Sequence, residues 1–119
     1  MLCHCSDQIR LALGEKPGTE KAPWFNENIV LPVALMLPHI PRWKYKAPAD
    51  MSQDEGGLGT KPISPENDRR LLLETIDRYY HSPENFKPHP HPAYGRLNRR
   101  QWGRFMYLHL DYHLRQFSC

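Results

Sequence analysis

The chain has 119 residues, with 16 Lys+Arg against 13 Asp+Glu for a formal charge of +3, and 12 prolines among 39% hydrophobic residues. That length suffices for a single domain spanning 1–119 and not for two. The charge is too small to indicate a nucleic-acid binder, and 24% charged residues is not the composition of a disordered polyelectrolyte.

Residues 1–14 read as a helix, with Leu2, Cys5, Ile9, Ala12 and Leu13 in an apolar stripe and Gly14 as its stop. No cap residue precedes it, so the element looks as though it were cut inside a helix, and missing upstream sequence is expected. Residues 15–24 are a turn-rich connection. Residues 25–37 are either a short helix, with Asn26 near its cap and a kink at Pro32, or a partly extended apolar segment. From Pro38 to Ile63 the chain reads as irregular, with the run Gly56-Gly57-Leu58-Gly59.

Helix signals return at Ser64-Pro65-Glu66, where Ser64 can cap and Pro65 suits the first helical position. Leu71, Leu72, Thr75, Ile76 and Tyr79 are the expected buried stripe, ending near Tyr80. Ser82 to Gly95 reads as a loop in which His89 and His91 face solvent, His91 opening a His-Pro-Ala-Tyr-Gly segment that shapes the approach to the last helix. That helix is the best marked. Asn98 and Gln101 form a capping-box pair, and Trp102, Phe105, Met106, His109, His113 and Phe117 follow at spacings that share one face. Arg96, Arg99, Arg100 and Arg104 around its start read as a solvated face.

Cys3, Cys5 and Cys119 make no disulfide framework. The stretch Ile29 to Leu37 is interrupted by Pro32 and too short to span a bilayer, and no basic-then-apolar leader is visible. A cytoplasmic protein with no membrane and no nucleic-acid partner is the expectation.

The chemistry lies with the histidines. His109 and His113, four residues apart on one helical face, carry Cβ atoms roughly 5–6 Å apart, so both imidazoles can reach one ion. Burying both without partners would be costly. His4 on the first helix is the natural third ligand, and Asp7, Asp111 and Gln116 are candidates to orient these rings by hydrogen bonds from behind. Three neutral imidazoles with a fourth position open describe a catalytic divalent-metal site, and zinc, nickel and iron all suit it. No catalytic side chain is assigned.

The segments MLCHCSDQIRLALGE and HPAYGRLNRRQWGRFMYLHLDYHLRQF, and their separation, resemble the DinB/YfiT-like superfamily, with Trp102, Gly103, Arg115, Gln116 and Phe117 in place around the histidine pair. The resemblance implies an all-α four-helix bundle of up-down-down-up topology. It also implies a metal held by one histidine of the second helix and a His-x-x-x-His pair on the fourth, which fall on His4, His109 and His113. Some members are thiol-dependent S-transferases, which implies a small thiol or electrophilic small molecule as partner; a non-enzymatic metal-binding or stress-response protein and an inactive remnant stay open beside that. The chain departs from the superfamily in lacking its first helix, which would leave an apolar groove and favour self-association, for instance as a homodimer.

Overall fold

The computed structural model of the chain describes residues 1–18, 21–42, 47, 49–53 and 55–118. Cys119 and parts of the 15–24 and 38–63 connections lie outside the described residues.

Helix α1 spans Leu2–Ala12 and ends through Leu13 at Gly14, whose φ of +76° is the left-handed conformation that glycine adopts without penalty. The segment that reads as either helix or extended chain is helical. A π turn, Asn26–Val30, runs directly into α2, Leu31–Met36. Pro32 accounts for that order, because it has no N–H to give and its ring crowds the carbonyl four residues back, which a wider turn accommodates. The irregular connection contains a 3-10 turn at Ala49–Met51.

Helix α3, Pro65–Tyr80, is capped as its sequence indicates, with Ser64 Oγ accepting from the Asn67 N–H at 3.2 Å. Helix α4, Arg99–Gln116, opens on a complete capping box, each of the two Asn98–Gln101 bonds measuring 2.8 Å. Among the described residues the molecule is all α-helical and turn, and no helix is long and apolar enough to cross a membrane.

The core joins Cys5, Ile9 and Ala12 of α1 to Leu72 and Tyr79 of α3 and to Trp102 and Phe105 of α4, with Leu31 and Leu97 closing it. Trp102 is fully buried, and its indole N–H donates to the His89 carbonyl at 3.0 Å, so the ring's one polar atom is satisfied. Burial of each such large apolar side chain stabilises by roughly 1.5–3 kcal/mol.

Two expectations about packing change. Leu108 and Tyr112 join the buried face of α4, while Phe117 lies past the helix end and is exposed. Leu71 is half-buried, and Ile76 is exposed because α3 and α4 do not close on each other along their length. They meet at one end, where the Tyr79 hydroxyl and the Arg99 guanidinium exchange bonds with the carbonyls of Arg99 and Tyr80 at 2.7 and 2.9 Å. Beyond it lies an apolar groove of about 640 Å³, lined by Ile9, Ile76, Tyr80, Met106, Tyr107 and Leu110.

Helix directions follow from which ends meet. Cys3 lies beside Asp68 near the start of α3, and Glu15 just past α1 is paired with Arg78 near the end of α3, so α1 and α3 run parallel. Phe117 lies with Met1 and Leu2, and Arg99 with Tyr80, so α4 runs antiparallel to both. This crossing sets the second turn of α4 from its C-terminus against the first turn of α1. The arginines at the start of α4 are partly structural: Arg99 also donates to Pro83 O, and Arg104 donates to the carbonyls of Leu35 and Leu37.

Candidate metal centre

The antiparallel packing of α1 and α4 brings His4, His109 and His113 together, with one ligand nitrogen from each lying within 4.8 Å of the others. The Nε2 atom of His109 is 3.0 Å from that of His4 and 3.1 Å from that of His113. Two nitrogens of a tetrahedral zinc site, each about 2.0–2.1 Å from the ion, stand about 3.3 Å apart by simple geometry. The observed spacing is close to that figure.

The opposite ring nitrogens each face an oxygen atom. His4 Nδ1 lies 3.1 Å from the Met51 carbonyl, which can only accept. His109 Nδ1 is 2.5 Å from Gln8 Oε1, and His113 Nδ1 is 3.1 Å from Gln116 Oε1. With the Gln8 and Gln116 amides in these orientations each Nδ1 donates, and in a neutral imidazole that leaves Nε2 as a bare acceptor. Burial favours the neutral form in every case. It lowers the pKa of His109 well below the ordinary histidine value, with the neighbouring His4 and His113 adding to the effect, and it lowers those of His4 and His113 as well. Three lone pairs thus converge on one point, and a cation is the partner this donor set fits.

The open side of the cluster faces a cavity of about 200 Å³ whose walls include Val30, Ala34, Leu37, Tyr94 and Phe105. Among the described residues, no Lys, Arg, Asp or Glu side chain lines it.

Of the residues expected to orient the ligands, Gln116 is placed to do so. Asp7 is fully buried but faces away from the cluster, accepting from the Thr60 N–H and hydroxyl at 2.6 Å each and lying 3.4 Å from Lys16 and 3.6 Å from Arg10. It anchors the connection before α3 to α1. Asp111 accepts from Arg115 at 2.9 Å, and that arginine in turn donates to the Ile40 carbonyl. In their place stand Gln8 and the Met51 carbonyl. Gln8 follows His4 by four residues and so shares its face, a spacing that the sequence does display. Met51 contributes a backbone oxygen from an irregular segment, for which no side-chain signal exists.

His91 also departs from expectation. His89 is exposed, but His91 is 2% exposed, because His91 and Gly95 exchange both backbone bonds, at 2.7 and 2.8 Å, and fold the ring inward. It packs against Tyr94, Trp102 and Phe105 at ring separations of 5.0, 5.3 and 5.1 Å and lines the same cavity as the three histidines. Cys3 and Cys5 are buried, and desolvation pushes the Cys5 thiol up to about 12, which keeps it a thiol rather than a nucleophilic thiolate.

No curated protein and no solved structure matches the chain. A family model does, over residues 44–119, which takes in α3, the His91 turn and both histidines of α4 but not His4. That match covers about two-thirds of the sequence, and the chain belongs to the family described as Protein of unknown function (DUF1569).

Proposed function

We propose that this is a metal-dependent protein of the DinB/YfiT type, in which His4, His109 and His113 hold one divalent ion and the adjoining cavity admits a small substrate. The observation that carries the reading is the convergence of one ligand nitrogen from each of three histidines, with each Nδ1 facing an oxygen atom. The parallel run of α1 and α3 with α4 antiparallel agrees with the last three helices of an up-down-down-up bundle, which supports the superfamily assignment.

The reaction class that fits is transfer or hydrolysis on a small thiol or electrophile. An ion at this position would supply Lewis acidity, lowering the pKa of a bound thiol or water. The chain's own contributions are distinct. Gln8, Gln116 and the Met51 carbonyl hold the ring orientations, the apolar walls limit bulk water, and among the described residues no carboxylate lines the cavity to compete for the ion. Zinc, nickel and iron all accept three imidazoles.

A second reading is a purely structural ion. It is favoured by His4, whose ring bonds to the 3-10 turn at Met51 and stands 3.0 Å from His109 of α4, so that one ion would join all three elements. Metal analysis of the untagged chain, with a His109→Ala/His113→Ala double variant beside it, tests the centre itself. About one ion per chain, lost in the variant, is expected. An ion whose removal unfolds the chain and which leaves no exchangeable ligand position would favour the structural role. A parent chain that takes up neither zinc nor nickel would remove both readings.

A further inference from the structure

His91 holds a donor that nothing else in the fold uses. Its Nδ1 accepts from the Ala93 N–H at 3.0 Å, so the ring proton sits on Nε2. That Nε2 is buried and has no hydrogen-bond partner among the described residues. A buried donor left unmade costs about 1–3 kcal/mol, and native interiors seldom leave one. The ring is also held firmly, since the His91–Gly95 backbone pair closes the turn and three aromatic rings surround the imidazole. The residue that carries this fixed donor lines the cavity shared with His4, His109 and His113, which is where a recognition group would stand.

The cavity limits what it can recognise. Its volume of about 200 Å³ corresponds to roughly seven water molecules at liquid density, so the occupant is a compound of few heavy atoms. Three neutral imidazoles leave the full double charge on a bound divalent cation, and among the described residues no charged side chain lines the cavity to offset it. An anionic ligand completes the balance. We infer that His91 is the specificity residue of a small-carboxylate site beside the histidine cluster, its Nε2–H donating to an acceptor oxygen of the ligand. This rests on the metal function proposed above, because the ion provides the charge that selects an anion.

Acetate serves as the probe, in an experiment on the full chain with ¹⁵N-labelled imidazoles. Zinc titration first reports the three-histidine centre; acetate titration then reports His91 through its Nε2–H resonance. Two substitutions separate recognition from support. His91→Asn keeps an acceptor for the Ala93 N–H and removes the Nε2–H, whereas His91→Gln places a donor near the Nε2 position and loses that acceptor. The expected result is acetate affinity about tenfold weaker in His91→Asn, the effect of one hydrogen bond, with zinc binding unchanged and acetate binding largely kept in His91→Gln. If zinc does not bind but acetate still moves the His91 resonance, the metal function fails and the His91 site stands. If acetate leaves the resonance unmoved, or binds His91→Asn as tightly as the parent, the site is refuted. A merely structural His91 would make His91→Gln the more damaging change, visible in the thermal midpoint rather than in acetate affinity.

Discussion

The Nε2 atoms of His4 and His109 face each other across 3.0 Å, while their Nδ1 atoms face the Met51 carbonyl and Gln8 Oε1. Two lone pairs at that distance repel. With both Nδ1 atoms donating, the packing and hydrogen bonds behind the rings hold them against that repulsion, and an ion placed between them would convert it into coordination. Relief of that repulsion would be one contribution to the affinity of the cluster for a cation.

Zinc is accordingly expected to raise the thermal midpoint of the chain. At a free concentration a hundredfold above the Kd, the linkage relation gives about 2.7 kcal/mol of added stability. Differential scanning calorimetry of the parent and of His109→Ala, with and without zinc, checks this. A midpoint that does not respond to zinc in the parent would count against the centre.

Gln8 and Asp7 are adjacent, yet their substitutions should do opposite things. Gln8→Leu leaves the His109 Nδ1–H without its acceptor, and metal affinity is expected to fall by about 10–100-fold with the fold retained. Asp7→Asn weakens the bonds to Thr60 and the pairing with Lys16, at a cost to stability of roughly 1–3 kcal/mol, while zinc affinity stays near that of the parent. Isothermal titration paired with urea unfolding separates the two. Equal losses of zinc affinity in both variants would contradict the orienting role given to Gln8.

Acid should destabilise the metal-free chain. Burial holds His91 at about 3 against an ordinary value of 6.5, and His4, His109 and His113 are lowered too. The unfolded chain thus binds more protons than the folded one below about pH 6.5, so this contribution is complete above that pH and is lost as pH falls toward about 3. For His91 alone the loss by about pH 5 is of order 2 kcal/mol. Urea midpoints between about pH 7 and pH 5 should fall less steeply in His91→Asn than in the parent. Identical slopes would show that His91 does not titrate as a buried ring.

The turn that buries His91 has its own test. Gly95 has φ of +75°, and a Cβ there would stand 2.5 Å from Glu27 Cδ, whose carboxylate accepts from the Arg96 N–H. Gly95→Ala is expected to cost about 1–2 kcal/mol from backbone conformation, with more from displacing Glu27. A variant as stable as the parent would mean that the turn relaxes without penalty.

The elements most legible in the sequence were those with local signals. Ser64-Pro65 marked the start of α3, Asn98 with Gln101 marked that of α4, and the four-residue spacing put His109 and His113 on one face. Tertiary partners were not legible. Asp7 looks like a histidine's neighbour in a helical projection, but Thr60, 53 residues on, claims its carboxylate. His91 reads as a solvent-facing loop residue between prolines, and only the backbone pair with Gly95 and the Trp102 surface turn it inward. The Met51 carbonyl could not have been anticipated, because backbone oxygens leave no mark on composition or period.

His4 and His109 are separated by 105 positions, whereas His109 and His113 are four apart on one helix. The cluster is therefore made of a local pair and one remote member, and two-stage opening is the expected consequence. Loss of α1 docking leaves α4 with a bidentate pair, which is a weaker and less selective chelator than the full set. In the proposed centre, metal selectivity would then be a property of the whole chain's closure rather than of the helix that carries two of the three ligands, and it is expected to decline before helical content does.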